Sequence, residues 1–160
     1  MVATRAFCYA ETVGFEEPMA KPKILFACPG DGSRGLMAKG FARYYAGQAI
    51  EAEAAAASPK PPGQYTVWAM NEVGVDISDD RPRAFGGLDL GRYNCIVTIS
   101  DARELALPRT TARIEVEDWR IPDPSTIRGR APDVIKAVRA LRYQVETRVQ
   151  ELLGRLLVSR

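Results

Sequence analysis

The chain has 160 residues with 22 Lys and Arg, 20 Asp and Glu and no His, a formal net charge of +2; it is long enough for one well-buried core and too short for two ordinary domains. A near-neutral balance removes the electrostatic case for nucleic acid or an anionic membrane surface as partner, and the absence of His excludes imidazole catalysis and argues against a zinc site or other bound metal. Three cysteines at unrelated spacings (Cys8, Cys28, Cys95) do not make a disulfide framework, and with no apolar run long enough for a signal peptide or membrane span the expectation is a cytoplasmic protein.

Residues 1–22 lack sustained periodicity and are read as an irregular amino-terminal extension, with one domain over 23–160. The apolar run Ile24 to Cys28 stops at Pro29-Gly30-Asp31-Gly32, the pattern of a buried parallel strand ending in a tight loop. Leu36, Met37, Phe41, Tyr44 and Tyr45 then recur at helical spacing, with Gly47 as the stop. For Ile50 to about Ala55 local propensity leaves strand and helix both open. After Pro59, Pro61, Pro62 and Gly63, the residues Val67, Met70 and Val73 outline a short helix ended by Gly74. Cys95 to Ile99 predicts a strand, and Ala112 to Val116 a weaker one before Trp119. From about Pro132 an apolar stripe of Val134, Ile135, Val138, Leu141, Val145, Val149, Leu152 and Leu153 predicts a long amphipathic helix. Such alternation argues for an α/β fold: a parallel sheet covered on both faces, with ligands at the carboxyl ends of the strands.

Cys28 stands at one such end. Five residues separate it from Arg34, and the segment falls between the first strand and the first helix. A loop of that length can curl its backbone N–H groups around one anion, with the helix supplying its positive end and the Arg fork two more donors. The same fields favour thiolate over thiol, so Cys28 is expected to ionise near neutral pH and to attack phosphorus or arsenic. A Cys and an Arg at this spacing are weak evidence alone in an Arg-rich chain; the order of strand, loop and helix strengthens them. Cys95, inside an apolar run, reads as a core residue.

Residues 21–28, the loop to Arg34, and Leu36 to Arg43 resemble the amino-terminal signature of the low-molecular-weight tyrosine phosphatase and arsenate reductase superfamily. Met70 to Ser78, Tyr93 to Ser100 and Trp119 to Pro124 resemble segments of the arsenate reductase branch. The resemblance runs from about residue 21 to residue 155. It implies the phosphotyrosine phosphatase I-like fold, a three-layer sandwich with a central four-stranded parallel sheet flanked by helices. It also implies an oxyanion site made by Pro29, Gly30, Asp31, Gly32, Ser33, Arg34 and Gly35, and a general acid at Asp123 in the Asp-Pro pair. No cofactor is bound in such a protein. A reductase needs a thiol reductant or redox partner protein, from a thioredoxin, glutathione or mycothiol system, and the ligand is a small oxyanion or phosphate monoester.

Several residues depart from that pattern. Thioredoxin-linked relatives carry further cysteines in the loop and after the third core strand, where this chain has Ser33 and Ser100, so an external thiol is implied, with Cys8 as a second source. Gly35 replaces a hydroxyl residue that steadies the thiolate. Asp31 replaces Asn, and a carboxylate about 6 Å from a dianion costs several kcal/mol; Lys39, one helical turn on, is expected to compensate by pairing with it. Ser125-Thr126 stand where phosphatases place aromatic residues. Three readings follow: arsenate reduction, phosphate monoester hydrolysis, and a degenerate relative that binds phosphate or a partner without turnover.

Overall fold

A computed structural model describes residues 20–101, 107 and 113–158. Strand β1 (Lys23–Cys28) is followed by helix α1 (Ser33–Ala46), strand β2 (Glu51–Ala56), helix α2 (Gln64–Asn71), strands β3 (Arg83–Ala84), β4 (Cys95–Ser100) and β5 (Glu115–Arg120), and helix α3 (Ala131–Val158). All strands run parallel in the order β3-β2-β1-β4-β5. The sheet therefore has five strands rather than the expected four. β3 adds only two residues, pairing with Ala55 and Ala56, and a segment that short beside Pro82 has no periodicity to detect.

The apolar run of β1 reflects its central place: Ile24 through Cys28 are fully buried, as a strand covered on both faces requires. On one face Ile24, Phe26, Cys28, Val97 and Ile99 meet α1, α2 and α3, whose Leu36, Phe41, Met70, Val138, Val145 and Leu152 complete the main core. Phe26 and Trp119 pack there with ring centroids 5.8 Å apart. On the other face Leu25, Ala27, Ala55 and Ile96 lie under Phe85, Leu88, Leu90 and Tyr93, with Leu107 and Ile114 beside them. That third layer includes a 3-10 turn over Leu90–Arg92.

The segment left ambiguous at 50–55 is strand. Its backbone fills the ladder beside β1, Lys23 to Cys28 facing Glu51 to Ala56, so tertiary pairing overrides the helical preference of Ala and Glu. The weak strand expected at 112–116 is β5 at Glu115–Arg120; Ala112 lies outside the described residues. Being an edge strand, β5 buries only Trp119, which explains its faint apolar signal. Residues 1–19, with Cys8, also lie outside the described residues.

Candidate active site

The chain leaves β1 for β2 and β3 on one side and then crosses back to β4 on the other, a reversal that makes a crevice at the carboxyl ends of β1 and β4. Cys28 closes β1 at that point. Three backbone bonds brace the loop from the segment after β2: Ala57 N–H to Cys28 O (3.2 Å), Ser58 N–H to Gly30 O (3.1 Å) and Lys60 N–H to Asp31 O (3.1 Å). Gly32 turns the chain at φ +96°, and a Cβ there would lie 2.7 Å from Pro82 Cγ, so both conformation and space require glycine. Its carbonyl accepts the Leu36 N–H at 2.9 Å and opens α1.

The first turn of α1 then delivers the chemistry. The N–H of Gly35 donates to Cys28 Sγ at 3.1 Å. Arg34, 2% exposed, donates from Nη1 to the Ile121 carbonyl at 2.8 Å and places Nη2 3.7 Å from Asp123 Oδ2. The loop, its arginine and the expected acid, 89 residues further along the chain than Arg34, thus converge. Asp123 is held from its own side, since Oδ1 accepts the Ser125 N–H at 2.9 Å. Oδ2 hangs over Gly30, where an added Cβ would come within 2.9 Å.

The expected ionisation of Cys28 is corrected. Burial pushes the thiol up to about 12; the nearby Arg34 charge and the Gly35 N–H pull it down, while the carboxylates of Asp31 and Asp123 push it further up. Desolvation outweighs the loop's donors. Gly35 has a packing reason as well: a Cβ would sit 3.1 Å from Phe26 O and 3.2 Å from Cys28 Sγ.

The expected pairing of Asp31 with Lys39 gives way to local partners. Asp31 Oδ1 accepts from Ser33 N–H (2.9 Å) and Ser33 Oγ–H (2.8 Å), an Asx arrangement that occupies one of the amides expected to face an anion. Lys39 Nζ instead lies 3.7 Å from Asp80 Oδ1, beside the Arg43–Asp80 pair. Cys95 is buried at the far end of β4, opposite Ile24, about 13 Å along the strands from Cys28. Burial, with Glu115 and Glu117, pushes its thiol up to about 12. Ser100 ends β4 with a buried hydroxyl that has no partner among the described residues.

Beside the loop lies a cleft of 340 Å³ lined by Asp31 and Ser33, the start of α2 and the turn from Pro124 to Gly129. No sequence signal marks that cleft, and none marks the Ile121 carbonyl as the seat of Arg34, because a backbone acceptor leaves no trace in residue type.

A buried cysteine capped by a helix amide, an arginine and an aspartate across the crevice of a parallel sheet define the low-molecular-weight phosphatase class of oxyanion-loop proteins. Comparison with known proteins narrows this. No protein-family model matches the chain. It is 29% identical over 133 residues to an arsenate reductase of Shouchella clausii, covering 83% of this chain and 96% of that one. With the arsenate reductase of Brevibacillus brevis the identity is 30% over 105 residues, covering 66% and 78% respectively. A solved arsenate reductase in its phosphate-binding state superposes with TM-score 0.70 at 26% identity, over 84% of this chain and 98% of that one. A low-molecular-weight protein tyrosine phosphatase from T. tengcongensis shares the fold at TM-score 0.68 and 19% identity, over 84% of this chain and 99% of that one. The chain belongs to the arsenate reductase family of this superfamily.

Proposed function

We propose that the protein is an arsenate reductase-like enzyme in which Cys28 is the nucleophile, Arg34 and the loop amides hold the oxyanion, and Asp123 donates the proton to the departing oxygen. The observation that carries this reading is the convergence of Cys28 Sγ, Arg34 Nη2 and Asp123 Oδ2 on one loop. Arsenate takes the Cys28 proton onto one of its oxygens as the sulfur–arsenic bond forms, and its hydroxyl departs as water with the proton from Asp123. An external thiol then reduces the adduct to arsenite. Kinship with arsenate reductases, one of them solved with phosphate, supports an oxyanion ligand, and a structural neighbour is described as thioredoxin-dependent. No helix of the described residues is long and apolar enough to cross a membrane, and a cytoplasmic site of action fits an enzyme that depends on reduced thiols.

Hydrolysis of phosphate monoesters is the second reading. It is favoured by the lack of a second thiol near Cys28 among the described residues, since water alone would complete that reaction. The deciding experiment compares wild type and Cys28→Ser on p-nitrophenyl phosphate and on arsenate with thioredoxin, glutaredoxin–glutathione and mycothiol systems. Arsenite formation lost in the mutant supports the reductase; phosphate release alone supports the phosphatase. Anion binding without turnover would make this a degenerate relative, with Asp31 as the reason.

A further inference from the structure

The turn at Gly32 is held from two sides. At φ +96° it lies in the left-handed region, with the ring of Pro82 and the methyl of Ala56 so close that they would stand 2.7 Å and 3.1 Å from a Cβ. That confinement keeps the Gly32 carbonyl on the Leu36 N–H, and with it the Gly35 amide on Cys28 Sγ and Arg34 on the Ile121 carbonyl. Pro82 is buried. A proline ring packs but has no N–H to donate, so what fixes it against Gly32 must lie on its neighbours.

Those neighbours form a strap along α1. Val75 and Ile77 approach Gly40 so closely that a Cβ there would meet both at 2.9 Å. The chain then turns, Asp80 N–H donating to Ile77 O at 3.1 Å and Arg81 Nη1 to the carbonyls of Ser78 (2.9 Å) and Asp80 (2.7 Å). Asp80 takes two cations from successive turns of α1. Arg43 donates from Nη1 to Oδ1 at 3.2 Å and from Nη2 to Oδ2, and Lys39 Nζ lies 3.7 Å from Oδ1. Directly after Pro82 the chain joins the sheet, Arg83 and Ala84 pairing with Ala55 and Ala56. Two residues of chain span at most about 7 Å, so with Asp80 anchored before it and β3 after it the ring has little travel.

Resting on the oxyanion reading of the loop above, we propose that Asp80 is a positioning residue: its ion pairs with Arg43 and Lys39 seat Pro82 on Gly32 and keep the first turn of α1 aimed at the anion before the anion arrives. With its side chain 15% exposed and two cations on it, Asp80 is the centre of a network rather than one half of a lone surface pair. Without that anchor Gly32 is free to adopt other turns, and only a fraction of the loops is ready to bind. The apparent Kd rises as the reciprocal of that fraction, whereas a saturating anion brings the loop back. The signature is therefore a split, in which KM rises and kcat holds.

The test titrates phosphate calorimetrically into wild type, Asp80→Ala, Pro82→Ala and the double variant, well below each Tm, and measures KM and kcat on arsenate or p-nitrophenyl phosphate, whichever wild type turns over. Asp80→Ala is expected to weaken phosphate binding and raise KM by about threefold to tenfold, with unchanged binding stoichiometry and kcat within about twofold of wild type. Pro82→Ala should do the same, and the double variant should bind no more weakly than the poorer single one, because one contact acts through the other. Asp80→Asn, which keeps an acceptor for Arg43 and drops the charge, should fall between wild type and Asp80→Ala. A lowered Tm with wild-type phosphate affinity makes Asp80 an ordinary stabilising residue and overturns the proposal; so does a fall in kcat at unchanged KM, or full additivity of the two substitutions. Wild type that binds no phosphate overturns the oxyanion reading itself and the role of the strap with it, whereas equal binding by wild type and Asp80→Ala removes the strap alone.

Discussion

Asp123 is asked to do two opposed things, and replacing it separates them. Its Oδ2 lies 3.7 Å from Arg34 Nη2, so an oxyanion seated on that guanidinium comes within about 5 Å of the carboxylate. At an effective dielectric of about 20, two unit negative charges at that distance repel by roughly 3 kcal/mol. Asp123→Asn removes this repulsion and frees Arg34 from a competing anion, while keeping a side chain of the same shape. Phosphate should then bind about tenfold to a hundredfold more tightly, the lower figure allowing for solvent screening. Turnover should fall by roughly a hundredfold or more with loss of the proton donor. Calorimetric titration of phosphate into both proteins, beside kcat on arsenate or p-nitrophenyl phosphate, reads the two effects. Unchanged or weaker phosphate binding in Asp123→Asn would refute the placement of Asp123 beside the anion. Gly30→Ala offers an independent check, because its Cβ would press within 2.9 Å of Oδ2: kcat should drop although the acid is still present.

Other outcomes follow from the same geometry. Gly35→Ser should not restore an activated thiol; it overpacks the site against Phe26 O and Cys28 Sγ, costing about 1–3 kcal/mol and lowering Tm by roughly 2–4 °C per kcal/mol. Unchanged Tm by calorimetry would show that the space is not limiting. Cys28, raised from 9.0 to about 12, should react slowly with iodoacetamide at pH 7–9 in the anion-free protein. Its folded value lies above the unfolded one, so its contribution to stability is complete below pH 9 and is lost as pH rises towards 12; Cys28→Ser should flatten that alkaline decline in urea titrations. Glu72 joins α2 to α3 by accepting from Arg139 Nε (2.9 Å) and Arg142 Nη1 (2.9 Å), and hydrogen bonds from Arg139 and then Arg142 hold its carboxyl down to about 2. That contribution is present above pH 4.5 and is lost as pH falls through 2, so wild type and Glu72→Gln should converge in Tm at the acid end.

The strand, loop and helix around Cys28 were legible because every level agrees there: a continuous apolar run, glycines at the turn and helical spacing beyond it. Asp123 was a different matter. Nothing local distinguishes Asp123-Pro124 from an ordinary turn, and only resemblance pointed to it. The partners that give the site its form, Ile121 O for Arg34 and Pro82 against Gly32, are backbone or packing contacts, invisible to residue type. Lys39 shows the reverse error. Its spacing from Asp31 was suitable, but Asp31 closes on Ser33 two residues away, and Asp80 arrives from a distant loop to take the cation. The low apolar content of β5 blurred its bounds, and the brevity of β3 concealed the other edge of the sheet.

The bond from Arg34 to the Ile121 carbonyl has a consequence for how this site can change over generations. One nitrogen of the side chain ties the end of β1 and α1 to the chain leaving β5, across the intervening β4; the other reaches the aspartate. Lysine, with a single ammonium, would have to choose between these duties. A lineage that no longer needed oxyanions would still be held to arginine here by its architecture, so arginine at this position testifies to the fold before it testifies to catalysis.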